Sequence, residues 1–161
     1  MSKKLFYSED QIATGLLILR IGIGIAFMVH GFPKLFMGGA LGLSKGLAAT
    51  GIPGGVIAAY LAALAEFFGG MALVAGLLFR PTTLVLGFTM LVALIFHLRR
   101  GDSFITYSHA IESGILFVAL TITGPGKFSV DHKLFGAEAE KDRSCEERRR
   151  PVMPVPAQQT A

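Results

Sequence analysis

Apolar residues run in four long blocks along the chain, separated by short polar or glycine-proline breaks, before the pattern ends in a charged tail. The first block, 13–31, reads ATGLLILRIGIGIAFMVHG, and the second, 56–79, reads VIAAYLAALAEFFGGMALVAGLLF. Each is long enough to cross a hydrocarbon core of about 30 Å at about 1.5 Å per residue. The third block covers 82–98, opened by Arg80-Pro81 and closed by Arg99-Arg100. Proline suits a helix start, where its missing N–H has no partner to lose. The fourth covers 110–124 and runs into Pro125-Gly126. No period-two alternation competes with helix. The pattern predicts an all-α, four-transmembrane-helix antiparallel bundle, with spans two and three joined as a tight hairpin.

Between the first two blocks the pattern is different. FPKLFMGGALGLSKGLAATGIPGG mixes apolar residues with glycine, two prolines and two lysines. It predicts an interfacial or re-entrant first loop, with a short helix around Leu41–Ala49 covering one end of the bundle. Beyond about residue 137 there is little to bury, and the segment ends RRRPVMPVPAQQTA. The chain therefore divides into a membrane domain, 1–136, and a disordered basic C-terminal tail, 137–161, on the cytoplasmic side.

Composition sharpens this picture. Hydrophobic residues make up 52% and charged residues 16% of the 161, and the mean hydropathy is +0.59. A soluble domain of this size would carry more surface charge, so the lipid bilayer is the first partner. The first block lacks a small-residue cleavage site and reads as an uncleaved span. A net charge of +4 does not point to nucleic acid, because the basic residues flank the spans and fill the tail. Lys3, Lys4, Arg80, Lys127, Lys133 and the tail bases share one side, against Lys34, Lys45, Arg99 and Arg100 on the other. The positive-inside rule then places both termini in the cytoplasm. The single cysteine, Cys145, lies in the tail and supports neither a disulfide nor thiol redox chemistry.

Two charges interrupt the spans. Arg20 lies roughly 12 Å into the first and Glu66 roughly 15 Å into the second from the opposite side, so the two are expected to meet near mid-membrane. Gly24, Gly69 and Gly70 fall on the same faces and allow close helix approach. A charged side chain at that depth costs about 2.5–3.5 kcal/mol and needs a partner or a purpose. Arg20 and Glu66 read either as a structural ion pair or as a proton-relay or ligand-anchoring pair.

The second cluster lies at one membrane boundary. His30 closes span one, with Lys34 a turn later; His97 nearly closes span three; His109 opens span four, with Glu112 on its face. Together they outline a ligand or quinone pocket, although interfacial preference alone places single histidines there. No HxxxH, HExxH or CxxC spacing is present, and no metal is assigned. Met90 shares a stripe with His97, where an axial haem ligand is the alternative to packing. Gly22-Ile23-Gly24 lies within a span and Gly124-Pro125-Gly126-Lys127 lacks the phosphate-loop spacing, so neither is a nucleotide motif.

LRIGIGIAFMVHGFPKLF, GIP, AEFFGGMALVAGLLFRP, MLVA and TGPGKFSVD, in that order, resemble the DoxX family of small bacterial membrane proteins from about Leu16 to Asp131. The matching polar positions are Arg20, His30, Lys34, Glu66 and Glu112. The resemblance implies a four-helix bundle in the bacterial inner membrane and an association with oxidoreduction. Three functions follow as expectations. The first is a quinone-linked subunit of a membrane oxidoreductase, fed electrons by a partner protein. The second is a non-catalytic scaffold that recruits or stabilises an oxidoreductase. The third is a small-solute permeation component, which four short helices provide only as a homo-oligomer.

Overall fold

The computed structural model describes residues 8–136; the tail assigned to 137–161 lies outside the described residues. Five helices follow in order: α1 Glu9–Phe36, α2 Gly39–Ala49, α3 Gly55–Ala75, α4 Phe79–Arg100 and α5 Phe104–Thr123. All except α2 are long and apolar enough to span a bilayer. They form the expected all-helical bundle of four antiparallel spans, with α2 as the helix in the first loop. A further helical stretch covers 130–136.

The span limits shift from the sequence reading for local reasons. α1 starts earlier because Ser8 and Gln11 form a reciprocal capping box, satisfying two backbone donors. It also continues through Pro33 to Phe36, so the polar-looking FPKLF segment is its last turn. α3 stops at Ala75 because Gly76 turns left-handed, and the Leu77 N–H closes back on the Ala72 carbonyl at 2.9 Å. α4 therefore begins at Phe79, and Pro81 sits in its first turn. α5 begins at Phe104, not 110, following an extended Ser103.

The core lies where α1, α3, α4 and α5 converge, on Phe27, Leu73, Phe79, Leu86, Met90, Phe117 and Leu120. Met90 is packing here. α1 packs chiefly on α3 and α4 on α5. Small residues set the α1–α3 distance: an added Cβ on Gly24 would lie 2.8 Å from the Gly70 carbonyl, and one on Gly31 2.6 Å from the Phe67 nitrogen. The α1–α5 seam is bridged by Phe27 on Phe117, ring centroids 4.9 Å apart. A smaller core of Ala40, Leu47, Ala59 and Phe96 seats α2 across one end of the bundle, here called the loop end. The other, terminal end carries the start of α1, the α3–α4 turn and the segment after α5. Large exposed side chains such as Ile18, Ile57, Phe88, Ile105 and Ile122 form the outer, lipid-facing surface.

Candidate functional site

At the terminal end, Arg20 is almost completely buried, at 1% exposure. Its Nη1 donates to the Pro125 carbonyl, and its Nη2 donates to the carbonyls of Phe128 at 3.0 Å and Val74 at 3.4 Å. The guanidinium also lies 6.0 Å from the Phe79 ring centre. Gly76 leaves room for it, since a Cβ there would fall 2.7 Å from Nη1. Around this clasp, Asp131 accepts the N–H groups of Leu78 at 2.8 Å and Phe79 at 2.7 Å, capping α4. The Asp131 N–H returns to the Gly76 carbonyl at 3.0 Å. This holds Leu78 left-handed at φ 46°, an uncommon conformation for a branched side chain. Lys127 bridges Glu9 at 2.9 Å and Asp10 at 3.3 Å. Those hydrogen bonds raise its pKa above the ordinary lysine value. The contribution is present through neutral pH and fades only as pH rises past the lysine range.

The expected Arg20–Glu66 pair is replaced by two separate arrangements. α1 projects past the end of α3, so Arg20 lies level with Val74, in the last turn of α3. Glu66 is about two turns, roughly 12 Å, further along. It lies instead beside the last turns of α1, where Lys34 Nζ donates to both carboxylate oxygens at 2.6 Å. Glu66 is buried and Lys34 keeps a third of its side chain exposed. The pair closes the loop end of the α1–α3 interface, under an aromatic cluster of Phe32, Phe36 and Phe67.

The histidines do come together. His109 lies between the other two, its ring centre 6.2 Å from His30 in a stacked arrangement and 6.2 Å from His97 edge-on. His97 Nδ1 and Asp102 Oδ2 are 2.7 Å apart, and Nε2 of that ring has no partner among the described residues. His109 Nδ1 lies 3.0 Å from the Thr106 carbonyl, and that geometry fits an Nδ1–H tautomer. His30 and His109 are exposed at the α1–α5 seam, and His97 is half-buried behind them. Glu112 is exposed one turn beyond His109, with no hydrogen bond among the described residues. Arg99 turns away to donate to the carbonyls of Thr50 and Gly51 at 3.2 Å, anchoring the end of α2.

Sequence reasoning brought out the histidines but missed their carboxylate, Asp102, and the Asp131 cap. The signal for Asp102 was its position just past the Gly101 that ends α4. The Pro125 and Phe128 carbonyls that receive Arg20 left no signal at all, because any residue supplies a carbonyl.

The family model described as DoxX matches residues 15–99. The chain is 36% identical to inner membrane protein YqjF of Escherichia coli strain K12 over 123 residues, 74% of this chain and 92% of that protein. It is 31% identical to inner membrane protein YphA of the same organism over 126 residues, 73% of this chain and 89% of that one. No solved structure matches. The family-model match, 15–99, contains Arg20, His30, Lys34, Glu66 and His97, and ends before His109 and the segment that clasps Arg20.

Proposed function

The chain belongs to the DoxX family of integral membrane proteins, and from that premise we propose that it is a quinone-linked accessory subunit of a membrane oxidoreductase system. One observation carries the reading: three imidazoles from three spans gather at one membrane boundary, two of them open to the bilayer along the α1–α5 seam. Ring nitrogens with one face toward lipid fit a quinone head group, which needs hydrogen-bond donors when oxidised and acceptors when reduced. A bound quinone would supply two-electron, two-proton chemistry.

The chain's own part is to hold and to exchange protons. Asp102 fixes the His97 tautomer and leaves Nε2 to give or take one. With Nδ1 held at the Thr106 carbonyl, His109 keeps Nε2 as an acceptor, and the ring of His30, with no hydrogen bond among the described residues, stacks beside it. Electrons enter from a partner protein in the same membrane. Both termini face the cytoplasm in this reading, so the histidine cluster lies toward the opposite face.

The scaffold reading rests on a different observation. Glu66 and the two terminal nitrogens of Arg20 are closed by partners within the chain, as a load-holding bundle requires. Protein purified in mild detergent separates the two by solvent extraction and an oxidised-minus-reduced spectrum. Near-stoichiometric quinone that disappears in His30→Ala with His109→Ala supports the first reading. A folded sample free of quinone overturns it, leaves the scaffold, and directs the next step to partner capture.

A further inference from the structure

We propose that residues 127–136 are a fifth membrane contact: an interfacial anchor whose partner is the lipid headgroup layer of the chain's own bilayer. The segment lies outside the four spans, yet it exposes Phe128, Leu134 and Phe135 at 50%, 58% and 58%. A polar linker leaving a membrane domain has no reason to present three large apolar side chains to water.

Its orientation is fixed rather than free. Asp131 faces the bundle, because both its oxygens bond the start of α4 and its N–H bonds the Gly76 carbonyl. Ser129 is buried, and its Oγ donates to the Gly126 carbonyl at 2.8 Å and accepts the His132 N–H at 3.0 Å. Arg20 grips the Phe128 carbonyl. On a 3.6-residue turn, Leu134 and Phe135 fall about 60° and about 40° to either side of Asp131. Lys133 falls on the far side, while His132 lies at the flank, about 60° from Phe135. The apolar pair therefore points the same way as the bonded aspartate, toward the bilayer, but beyond the edge of the bundle. Lys133 points outward, where it meets headgroup phosphates.

The segment meets a further exposed apolar side chain at the start of α4, since Leu78, 61% exposed, donates its N–H to Asp131, and its polarity is that of a helix lying in the interface plane. Arg80, exposed in the first turn of α4 beside the Asp131 cap, adds a second cation at the same level. The occupant is thus lipid, not a second protein.

The chain contains no tryptophan, so one substitution gives a single emitter. Phe135→Trp and, as the opposite-face control, Lys133→Trp are reconstituted separately as full-length protein in lipid nanodiscs. Each is measured with brominated-acyl lipid and with aqueous iodide. The expected result is blue-shifted F135W emission that brominated lipid largely abolishes and iodide leaves alone, with K133W showing the reverse. Leu134→Trp repeats the test at the neighbouring apolar position, should either variant fold poorly. Red-shifted F135W and L134W emission that iodide quenches overturns the proposal. Blue-shifted emission that neither agent quenches also overturns it, because protein would then cover the patch.

Discussion

Glu66 holds the Lys34 ammonium symmetrically, with 2.6 Å to each carboxylate oxygen. The acid is buried inside α3, while the base reaches it from the last turn of α1, past Gly31. The pair thus pins the register of the two helices at the loop end, as the Arg20 clasp does at the other. Lys34→Ala, which leaves the carboxylate buried and unpaired, should destabilise by about 3 kcal/mol, the low end for breaking a buried pair because Lys34 is partly exposed. The exchange Lys34→Glu with Glu66→Lys should recover part of that loss, whereas Arg20→Glu with Glu66→Arg should not. Denaturant titration in mixed micelles reads both; recovery by the second exchange would contradict the separation of the two sites.

Arg20→Lys keeps the charge and loses the geometry. A lysine ammonium cannot span carbonyls on α3 and on the segment after α5 as the two terminal nitrogens of Arg20 do. Leaving one or more of these carbonyls unpaired should cost about 1–3 kcal/mol. Limited proteolysis should show faster cleavage between 124 and 133, with the spans still protected. Equal cleavage of variant and parent would show that Arg20 does not hold the segment.

Gly31 and Gly22 both lie in α1 and should respond oppositely to alanine. A methyl group on Gly31 meets Phe67 backbone at 2.6 Å, so Gly31→Ala should destabilise by about 1–3 kcal/mol through overpacking. Nothing lies within 4 Å of a Cβ on Gly22. Gly22→Ala should be neutral or stabilising by up to about 1 kcal/mol, from helix propensity. Thermal melts followed by circular dichroism rank the two.

Asp131→Ala removes both acceptors from the start of α4 and should cost about 1–2 kcal/mol. Asp131→Asn keeps one acceptor and should lose roughly half as much. A Leu78→Gly change in the Asp131→Ala background should restore part of the stability, since glycine adopts the left-handed conformation without side-chain strain. No gain from that glycine would mean that the cap does not hold Leu78.

Asp102→Asn preserves the size of the residue at His97 but frees the ring to change tautomer. On the proposed function, bound quinone should fall at least severalfold while the melting temperature stays near that of the parent. Unchanged quinone content in the variant would remove Asp102 from any ligand role.

The spans were legible because their period and length are set by local sequence, and Leu41–Ala49 was legible as a helix for the same reason. Their ends were less so. Pro33 lay in what read as the loop, but α1 continues past it to Phe36, giving up the bond its missing N–H would make to the Val29 carbonyl; Leu78 looked helical, but its φ is set by a carboxylate 53 residues away. The histidine cluster could be read from where the spans end. The Arg20 environment could not, because depth counted from assumed span ends put it opposite Glu66. Moving the start of α1 four residues earlier and the end of α3 four residues earlier changes its neighbour from a carboxylate to three carbonyls.

The Arg20 clasp also sets an order of events during synthesis. Two of its acceptors, Pro125 and Phe128, leave the ribosome more than a hundred residues after it does, at separations of 105 and 108. For most of translation the first span must therefore sit in the membrane with two of its three carbonyl acceptors missing, and its long apolar flanks can offset a penalty of up to about 2.5 kcal/mol. The segment after the last span is thus what completes the first, and a chain stopped at Thr123 would have every span in place and Arg20 still lacking two of its three carbonyl acceptors.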